Sequence, residues 1–197
     1  MGTTVYLMNV SIDGRIGRTV DENGAGDWLR ISDALHEDIN RRAAQFWTMV
    51  QGRVVYEIME GFWPAAADDE RNPGVIREYG RLWRDVDKVL VSTSRREAPF
   101  NTRVIGNDGR SAALAALAEL RRDSNGRIGV GGAGIATQLL QHGLLDELLL
   151  YVHPAYLGTG RPLFDDIDGA PASLSLELLE QQTFEQGVQL QRYAIRR

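Results

Sequence analysis

The sequence predicts a three-layer α/β protein with a mainly parallel central sheet and an antiparallel C-terminal edge. Segments with strand character alternate with segments of helical spacing along most of the 197 residues, which is typical of a parallel sheet covered by helices. The first strand, residues 3–12 (TTVYLMNVSI), is nearly all apolar, as expected for a strand buried on both faces. Two consecutive strands, 173–184 and 188–196, close the chain and predict the antiparallel edge.

The inner strands are short runs rich in β-branched and aliphatic residues, bounded by glycine, proline or charged residues. Asp13 and Gly14 mark a turn after the first strand, and Pro154 ends the most apolar run, LLLYVH. Inner strands are predicted at 47–50, 86–92, 102–105 and 127–130, and within 144–153.

The helices follow from apolar spacing and capping signals. Apolar residues recur at helical spacing up to Phe46, behind a capping residue at Ser32 or Asp33. Residues 112–122 (AALAALAELRR) combine strong helix formers with basic residues at the C-terminal end. Helices are predicted at 33–46, 53–59, 112–122 and 135–142, and polar loops at 17–26 and 65–73.

Composition excludes several classes of protein. The chain has 27 acidic and 22 basic residues, a net charge of −5, which argues against nucleic-acid binding because that needs a basic face. It contains no cysteine, which excludes disulfides, thiolate metal sites and cysteine nucleophiles. No apolar run reaches the roughly 20 residues of a membrane span, and no signal peptide is evident at the start. We therefore expect a single cytoplasmic domain, residues 1–197, without a membrane partner.

Three turns that follow predicted strands are suited to phosphate. Gly131 to Gly134 (GGAG) lead directly into a helix, whose N-terminal N–H groups favour an anion. Gly52 and Arg53 begin a second helix, and residues 92–96 (STSRR) supply hydroxyl and guanidinium groups. Taken singly, the glycine turn could equally be a tight structural turn or an anion site, and the other two turns are more typical of exposed surface. If all three lie at the carboxyl ends of parallel strands, they predict one dinucleotide site.

Asp33 has two possible roles. It could cap the predicted helix, or it could be a partly buried acid that hydrogen-bonds a substrate or delivers a proton. Asp13 is interpreted as a turn former, and Asp27, Glu37 and Asp38 as solvated charges.

Other residues are interpreted as structural. The chain has a single lysine, Lys88, in a charged stretch, which argues against a Schiff-base mechanism. The histidines His36, His142 and His153 lack metal-ligand spacing, so no metal is expected, and His153 is interpreted as a strand-end residue. The tryptophans at 28, 47, 63 and 83 are interpreted mostly as core or cleft wall.

Six short motifs, in this order, resemble the dihydrofolate-reductase-like superfamily. The resemblance is closest to stand-alone proteins similar to the C-terminal reductase domain of the riboflavin-biosynthesis deaminase/reductase, and it covers nearly the whole chain. Its most specific parts are GRVVYEIMEGFWP and LLLYVHPAYLGTGRPLF. The motifs are SIDGRIG (11–17), DWL (27–29), GRVVYEIMEGFWP (52–64), LVSTS (90–94), VGGAG (130–134) and LLLYVHPAYLGTGRPLF (148–164).

The resemblance implies an NADPH-dependent reductase that acts as a homodimer on a small pterin, pyrimidine or related conjugated substrate. Asp33 falls where dihydrofolate reductases place their substrate-binding acid, and it would be the catalytic residue, with Met8 and Trp28 lining the substrate pocket. The cofactor would contact Val10, Ile16, Gly17, Gly52, Arg53, Val54, Ser92, Thr93, Ser94, Arg95, Gly131, Gly132, Ala133, Gly134, Ile135 and Ala136. Within this set, Ile16 and Gly17 would belong to a mobile loop covering the nicotinamide. The apolar segment 148–157 and the terminal strands are a possible dimer face.

The chain departs from the relatives at two positions. Dihydrofolate reductases usually have threonine where this chain has Val55, and riboflavin-pathway reductases carry a substrate-contacting glutamate before the glycines, where Val130 and Gly131 stand here. These departures put a riboflavin-pathway role in doubt. They also keep open an alternative function: a non-catalytic nucleotide- or flavin-binding module, or a ligand sensor, on the same fold.

Overall fold

The computed structural model describes residues 1–19, 26–166 and 173–196. The helices are α1 (Asp33–Ala43), α2 (Arg53–Asp68), α3 (Gly74–Asp85), α4 (Arg110–Asp123) and α5 (Ala133–Gln141). The strands are β1 (Thr3–Ser11), β2 (Arg15–Gly17), β3 (Phe46–Gly52), β4 (Asp87–Val91), β5 (Thr102–Ile105), β6 (Arg127–Gly131), β7 (Glu147–His153), β8 (Arg161–Pro162), β9 (Ser175–Thr183) and β10 (Gln189–Arg196).

The central sheet has the predicted architecture. Its strand order is β5-β4-β3-β6-β1-β7-β10-β9. The first six of these strands run parallel, whereas β10 pairs antiparallel with both β7 and β9. The two short strands β2 and β8 form a separate antiparallel pair. The α/β class and the antiparallel C-terminal edge are therefore confirmed.

Two hydrophobic clusters, one on each face of the sheet, hold the layers together. Residues of β1 alternate between them: Tyr6 and Met8 pack with α4 and α5, and Val5 and Leu7 pack with α1, α2 and α3. This alternation is expected of a strand covered on both sides.

The largest difference from the predicted elements lies between residues 60 and 85. Helix α2 continues through Pro64 to Asp68, although residues 65–73 were expected to form a loop, and α3 was not predicted. Pro64 lacks the N–H that would bond the carbonyl of Glu60, but the helix does not end there. Tyr79, Gly80 and Trp83 form the buried face of α3. A side chain at Gly80 would lie 2.6 Å from the Trp63 carbonyl oxygen, so this glycine lets α2 and α3 approach closely.

The interpretation of Asp38 as a solvated charge is wrong, because it is buried, with an exposed fraction of 5%. Asp38 accepts hydrogen bonds from Arg42 Nε and the Tyr151 hydroxyl, both at 2.7 Å. It is therefore the centre of a buried polar network. Lys88, in its charged stretch, is also buried, with an exposed fraction of 2%. Trp47 is 54% exposed and belongs to neither core nor cleft wall.

The possible dimer face is contradicted in part. Strand β7 lies between β1 and β10, and its residues from Glu147 to Tyr151 are buried within the chain, so they cannot form a dimer face.

None of the described helices has the length and apolar composition of a membrane span. Residues 20–25, part of the predicted loop 17–26, lie outside the described residues.

Candidate cofactor and substrate site

The three phosphate-competent turns follow three neighbouring strands. Strand β3 pairs in parallel with β4, opposing Gly52 and Val91, and with β6, opposing Gln51 and Gly131. The carboxyl ends of the three strands therefore lie at one edge of the sheet, where open α/β sheets bind ligands. A Cβ built on Gly132 would lie 3.8 Å from the backbone nitrogen of Gly52, so two of the turns are in close proximity.

Two helix N-termini meet at this edge without side-chain caps. The N-cap residues of α2 and α5 are Gly52 and Gly132, and neither provides a side-chain hydrogen bond. Unbonded N–H groups and the partial positive charge of a helix start favour an anion. This donor set fits the diphosphate of a dinucleotide.

The glycines also have a packing role. Gly132 has a φ of +105°, which other residues rarely adopt. Side chains built at Gly131 and Gly132 would lie 3.2 and 3.3 Å from the methyl groups of Val55. The glycine turn is thus required for close packing against α2, in addition to any role in anion binding.

The turn after β4 is organised by Ser92. This buried hydroxyl accepts hydrogen bonds from the backbone N–H groups of Ser94 (3.2 Å) and Arg95 (3.1 Å). Thr93 and Ser94 are exposed. Ser92 therefore shapes the turn, and its Oγ also lies 3.3 Å from the Ser94 Oγ.

Two of the three arginines in these turns, Arg95 and Arg53, are paired with carboxylates of α2. Arg95 donates to Glu60 at 2.7 and 3.2 Å, with its guanidinium carbon 5.3 Å from the Tyr56 ring centre. Arg53 donates to Glu57 at 2.7 Å. A phosphate that binds either arginine competes with a carboxylate already in place.

A cavity of about 580 Å³ lies between the sheet and helices α1, α2 and α3. It begins beside the turns, at Gln51, Val55 and Gly131, and extends to the inner faces of the three helices. Met8 and Val130 line it although they belong to the core cluster on the opposite face of the sheet. Most lining residues are apolar or aromatic: Leu7, Met8, Leu29, Ile31, Ile39, Ala43, Phe46, Met49, Val55, Ile58, Met59, Phe62, Trp63, Pro73, Val75, Ile76, Tyr79 and Val130. The polar side chains lining it are those of Asn9, Ser32, Asp33, His36 and Gln51.

Asp33 does not cap α1. The N-cap is Ser32, whose Oγ accepts a hydrogen bond from Leu35 N at 3.3 Å. Asp33 is the first residue of the helix, is exposed, and lines the cavity. The capping interpretation is therefore wrong. The acid does line the cavity, but it is exposed rather than partly buried as the other interpretation had it.

His36, one helical turn after Asp33, also lines the cavity. Asn40 donates from Nδ2 to the Val75 carbonyl (2.9 Å) and to Glu78 (2.7 Å), so its Oδ1 must be the acceptor for His36 Nδ1 at 3.0 Å. Burial lowers the pKa of His36, an effect that the hydrogen bond with Asn40 opposes. The ring is therefore neutral at pH 7, with its proton on Nδ1 and a lone pair on Nε2.

Of the expected site residues outside the three turns, Trp28, Val10, Ile16 and Gly17 do not line this cavity. Trp28 is buried and packs edge-on against His153, with ring centres 5.5 Å apart. Val10 and Ile16 belong to the core cluster on the other face of the sheet. Gly17 and Ile16 lie in the paired strand β2, where the sequence predicted a loop.

His153 has both ring nitrogens hydrogen-bonded. Nδ1 accepts from the backbone N–H of Arg30 at 3.0 Å, so Nε2 carries the proton and donates to Asn9 Oδ1 at 3.1 Å. Burial lowers the pKa of His153 to about 4, with a smaller effect from the charge of Arg30. The neutral ring thus orients Asn9 in the wall of the cavity.

Sequence reasoning missed Gln51 and His36. His36 was considered only as a metal ligand, although its position three residues after Asp33 puts both on one face of a helix. Gln51 is an inward-facing polar residue at the end of a predicted strand, which is a weak but usable signal. Among the described residues no cluster of three or more histidines or carboxylates could hold a metal ion.

A family model and a curated relative both match most of the chain. The model of the family named RibD C-terminal domain matches residues 3–190. The uncharacterized protein YyaP of Bacillus subtilis (strain 168) is 27% identical over 186 residues, covering 91% of this chain and 87% of YyaP.

Solved structures share the fold at low identity. A Shewanella sp. PV-4 protein assigned to riboflavin biosynthesis has a TM-score of 0.72 at 17% identity, with 99% of both chains covered. Dihydrofolate reductase from Enterococcus faecalis, solved with NADP(H), has a TM-score of 0.60 at 13% identity and covers 100% of this chain and 98% of its own.

A third structure is the diaminohydroxyphosphoribosylaminopyrimidine deaminase/5-amino-6-(5-phosphoribosylamino)uracil reductase of Thermotoga maritima. It has a TM-score of 0.61 at 14% identity and covers 99% of this chain and 57% of its own. This chain therefore spans just over half of that bifunctional protein. At these identities the structures establish the dihydrofolate-reductase-like fold.

Proposed function

Because the chain belongs to the RibD C-terminal domain family, we propose that it is a reductase that transfers a hydride from NADPH to a small pterin, pyrimidine or related conjugated substrate. The family and the fold support an oxidoreductase-like role. The cofactor and the reaction are the specific part of the proposal.

One observation carries it: two uncapped helix N-termini lie side by side and open beside a cavity large enough for a ring substrate. The diphosphate would be held by the backbone of residues 52–54 and 131–136, and the 2′-phosphate end by residues 92–95. The cavity, with Met8 and Asp33 in its wall, would hold the substrate next to this site. Trp28 is left out because it does not line the cavity.

NADPH, when bound, supplies a hydride and leaves as NADP⁺. The acceptor gains a C–H bond at carbon, the electron pair of its C=N, C=C or C=O bond moves to the adjoining atom, and that atom takes up one proton. Asp33 orients the acceptor and relays this proton from solvent, since it is both exposed and part of the cavity wall. The apolar wall excludes water, and positioning of the two reactants is the main contribution of the protein.

The test is a two-stage titration. NADPH is added to the protein and binding is measured by calorimetry and by nucleotide fluorescence, after which candidate acceptors are added and the absorbance of NADPH is followed. Binding followed by acceptor-dependent oxidation supports the enzyme. Binding with no oxidation for any acceptor would favour the ligand-binding module, and absence of heat at millimolar NADPH or NADP⁺ would contradict the proposal.

We also propose that the protein is a homodimer joined through the β9 edge of the sheet. Strand β9 pairs only with β10 in the described part of the chain, and it exposes Leu176, Leu178 and Leu179 with exposed fractions of 43%, 50% and 42%. Native proteins usually cover an unpaired sheet edge that carries several exposed leucines, and a second copy of the chain would cover this one.

A further inference from the structure

Building on the reductase function proposed above, we infer that the cavity accepts an unphosphorylated conjugated ring. The geometry points to the Gln51 carboxamide as the group that selects this ring, by accepting a hydrogen bond from one of its N–H groups.

The first argument is the charge of the cavity. No arginine or lysine lines it among the described residues, and the one acidic side chain in its wall is Asp33. A phosphate placed here would lose its hydration without gaining a cation, and it would face a carboxylate. An unphosphorylated ring loses much less.

The second argument is the unmet hydrogen bond of Gln51. This side chain is only 4% exposed and lines the cavity. Its carboxamide oxygen has no hydrogen-bond partner in the described structure. Buried polar atoms in native proteins are nearly always bonded, and an unmet acceptor is costly. A ring N–H that reaches the carboxamide would supply the missing partner.

The third argument is position. Gln51 directly precedes Gly52 and stands opposite Gly131 in the sheet, so it lies between the two glycine turns proposed for the cofactor. A side chain at Gly131 would lie 3.2 Å from a Val55 methyl group and 3.6 Å from Gln51 Cγ, so the glycine lets Gln51 pack closely against this turn. A ring bonded to Gln51 is therefore held beside the turns, whereas a ring deeper among the helices is not. This makes Gln51 a residue that sets both substrate class and substrate position.

The first experiment compares matched ligands that differ by one phosphate. Binding to the NADP⁺-saturated protein is measured by calorimetry for 5-amino-6-ribosylaminouracil and its 5′-phosphate, and for riboflavin and its 5′-phosphate. We expect the unphosphorylated member of at least one pair to bind, and to bind about tenfold or more tightly than its phosphate. Equal or tighter binding of the phosphates, or no binding in either pair, would overturn the inference.

The second experiment tests Gln51 against a neighbour on the same face of β3. Gln51→Leu removes the acceptor at similar volume, and Met49→Leu is the matched control, because Met49 also lines the cavity and has no acceptor of that kind. We expect Gln51→Leu to weaken binding of whichever unphosphorylated ring binds by about tenfold and Met49→Leu to change it by less than threefold. Unchanged binding by Gln51→Leu would exclude the role of the carboxamide.

Two further measurements distinguish a failure of this inference from poor folding of a variant and from a failure of the proposed function. Gln51→Glu keeps an acceptor at the same position, so we expect it to retain the ring binding that Gln51→Leu loses, even if the leucine variant folds poorly. A Gln51→Glu variant that folds and does not bind would also exclude the role. NADP⁺ affinity is measured for each protein: its absence in the wild type would remove the proposed function, whereas weak ring binding with intact NADP⁺ affinity would remove only this inference.

Discussion

The guanidinium group of Arg95 makes two hydrogen bonds to the carboxylate of Glu60, at 2.7 and 3.2 Å. Arg95 is the charge expected to meet the 2′-phosphate of NADPH, and Glu60 is a competing anion at the same place. We therefore expect Glu60→Gln to tighten NADPH binding by several-fold and to leave NADH binding nearly unchanged, because only NADPH carries the 2′-phosphate. Titrations of both nucleotides by calorimetry measure the ratio.

Two variants control for the change of net charge and for the arginine itself. Glu119→Gln removes the same charge from an exposed position on α4 and should leave the ratio unaltered. Arg95→Ala should reduce the preference for NADPH. If Glu60→Gln shifts both nucleotides equally, Arg95 does not read the 2′-phosphate.

Asp33→Asn tests the role of the exposed acid in the cavity wall. The amide keeps the size of the side chain and cannot relay a proton, so we expect turnover to fall by roughly 10²-fold or more with NADPH affinity largely retained. Steady-state rates and calorimetry give the two quantities. Glu37→Gln is the matched control, since Glu37 is exposed on the same helix and lies outside the cavity wall. Equal turnover of Asp33→Asn and wild type would exclude the catalytic role.

The exposed leucines of β9 predict the effect of a charge on assembly. Leu178→Glu should shift the protein from dimer to monomer in sedimentation experiments, because burying the new carboxylate at the interface is costly. Ile12→Glu places the same change at another exposed apolar residue, with an exposed fraction of 70%, and should leave the dimer intact. A wild type that sediments as a monomer would contradict the proposed assembly.

The neutral state of His153 predicts a pH-dependent stability. The pKa of His153 is lowered from 6.5 to about 4 in the folded protein, so the unfolded chain binds the extra proton between these values. The contribution is fully present above pH 6.5 and is lost progressively as the pH falls to 4, by up to about 3 kcal/mol. Urea unfolding at pH 7 and at pH 4.5 measures it. His153→Gln should reduce the difference, whereas His142→Gln, at an exposed position, should not.

The sheet could be predicted from the sequence because its signals are local. Nearby residues alone predict the apolar strand β1, the turns at Gly52 and at 131–134 (GGAG), and the two closing strands. Helix α3 was not predicted because the polar residues between Asp68 and Pro73 indicated a loop. The spacing of Val75, Ile76, Tyr79 and Trp83 is nevertheless helical. Pro64 favoured an early end to α2, and tertiary packing against α3 overrides that preference.

The site was only partly predictable because its geometry depends on distant contacts. The three turns could be assigned to one edge of the sheet from parallel topology alone. The pairing of Arg95 with Glu60 brings together residues 35 positions apart, and no local pattern indicates it. The sequence signal of Gln51 is weak, and the residue stands out once folding leaves its carboxamide oxygen without a partner in the described structure.

The buried side chain of Lys88 gives the last prediction. Its Nζ donates to the carbonyl oxygens of Trp83 and Val86, both at 2.6 Å, and lies 4.7 Å from the Trp83 ring centre. Since helix α3 ends at Asp85, the ammonium group compensates carbonyls that the helix leaves unpaired. Burial lowers the pKa of Lys88 to about 8, so the group is mostly charged at pH 7.

We expect Lys88→Met to destabilise the protein by about 2–4 kcal/mol, because it keeps the apolar stem and leaves the buried carbonyls without a donor. Arg81→Met is the matched control: it removes a cation from an exposed position of α3 and should cost less than about 0.5 kcal/mol. Urea unfolding at pH 7 compares the midpoints of the two variants and the wild type. The hydrogen bonds of Lys88 have no net stabilising role if Lys88→Met unfolds at the same urea concentration as Arg81→Met, since the two variants lose the same charge and differ in the carbonyls left unpaired.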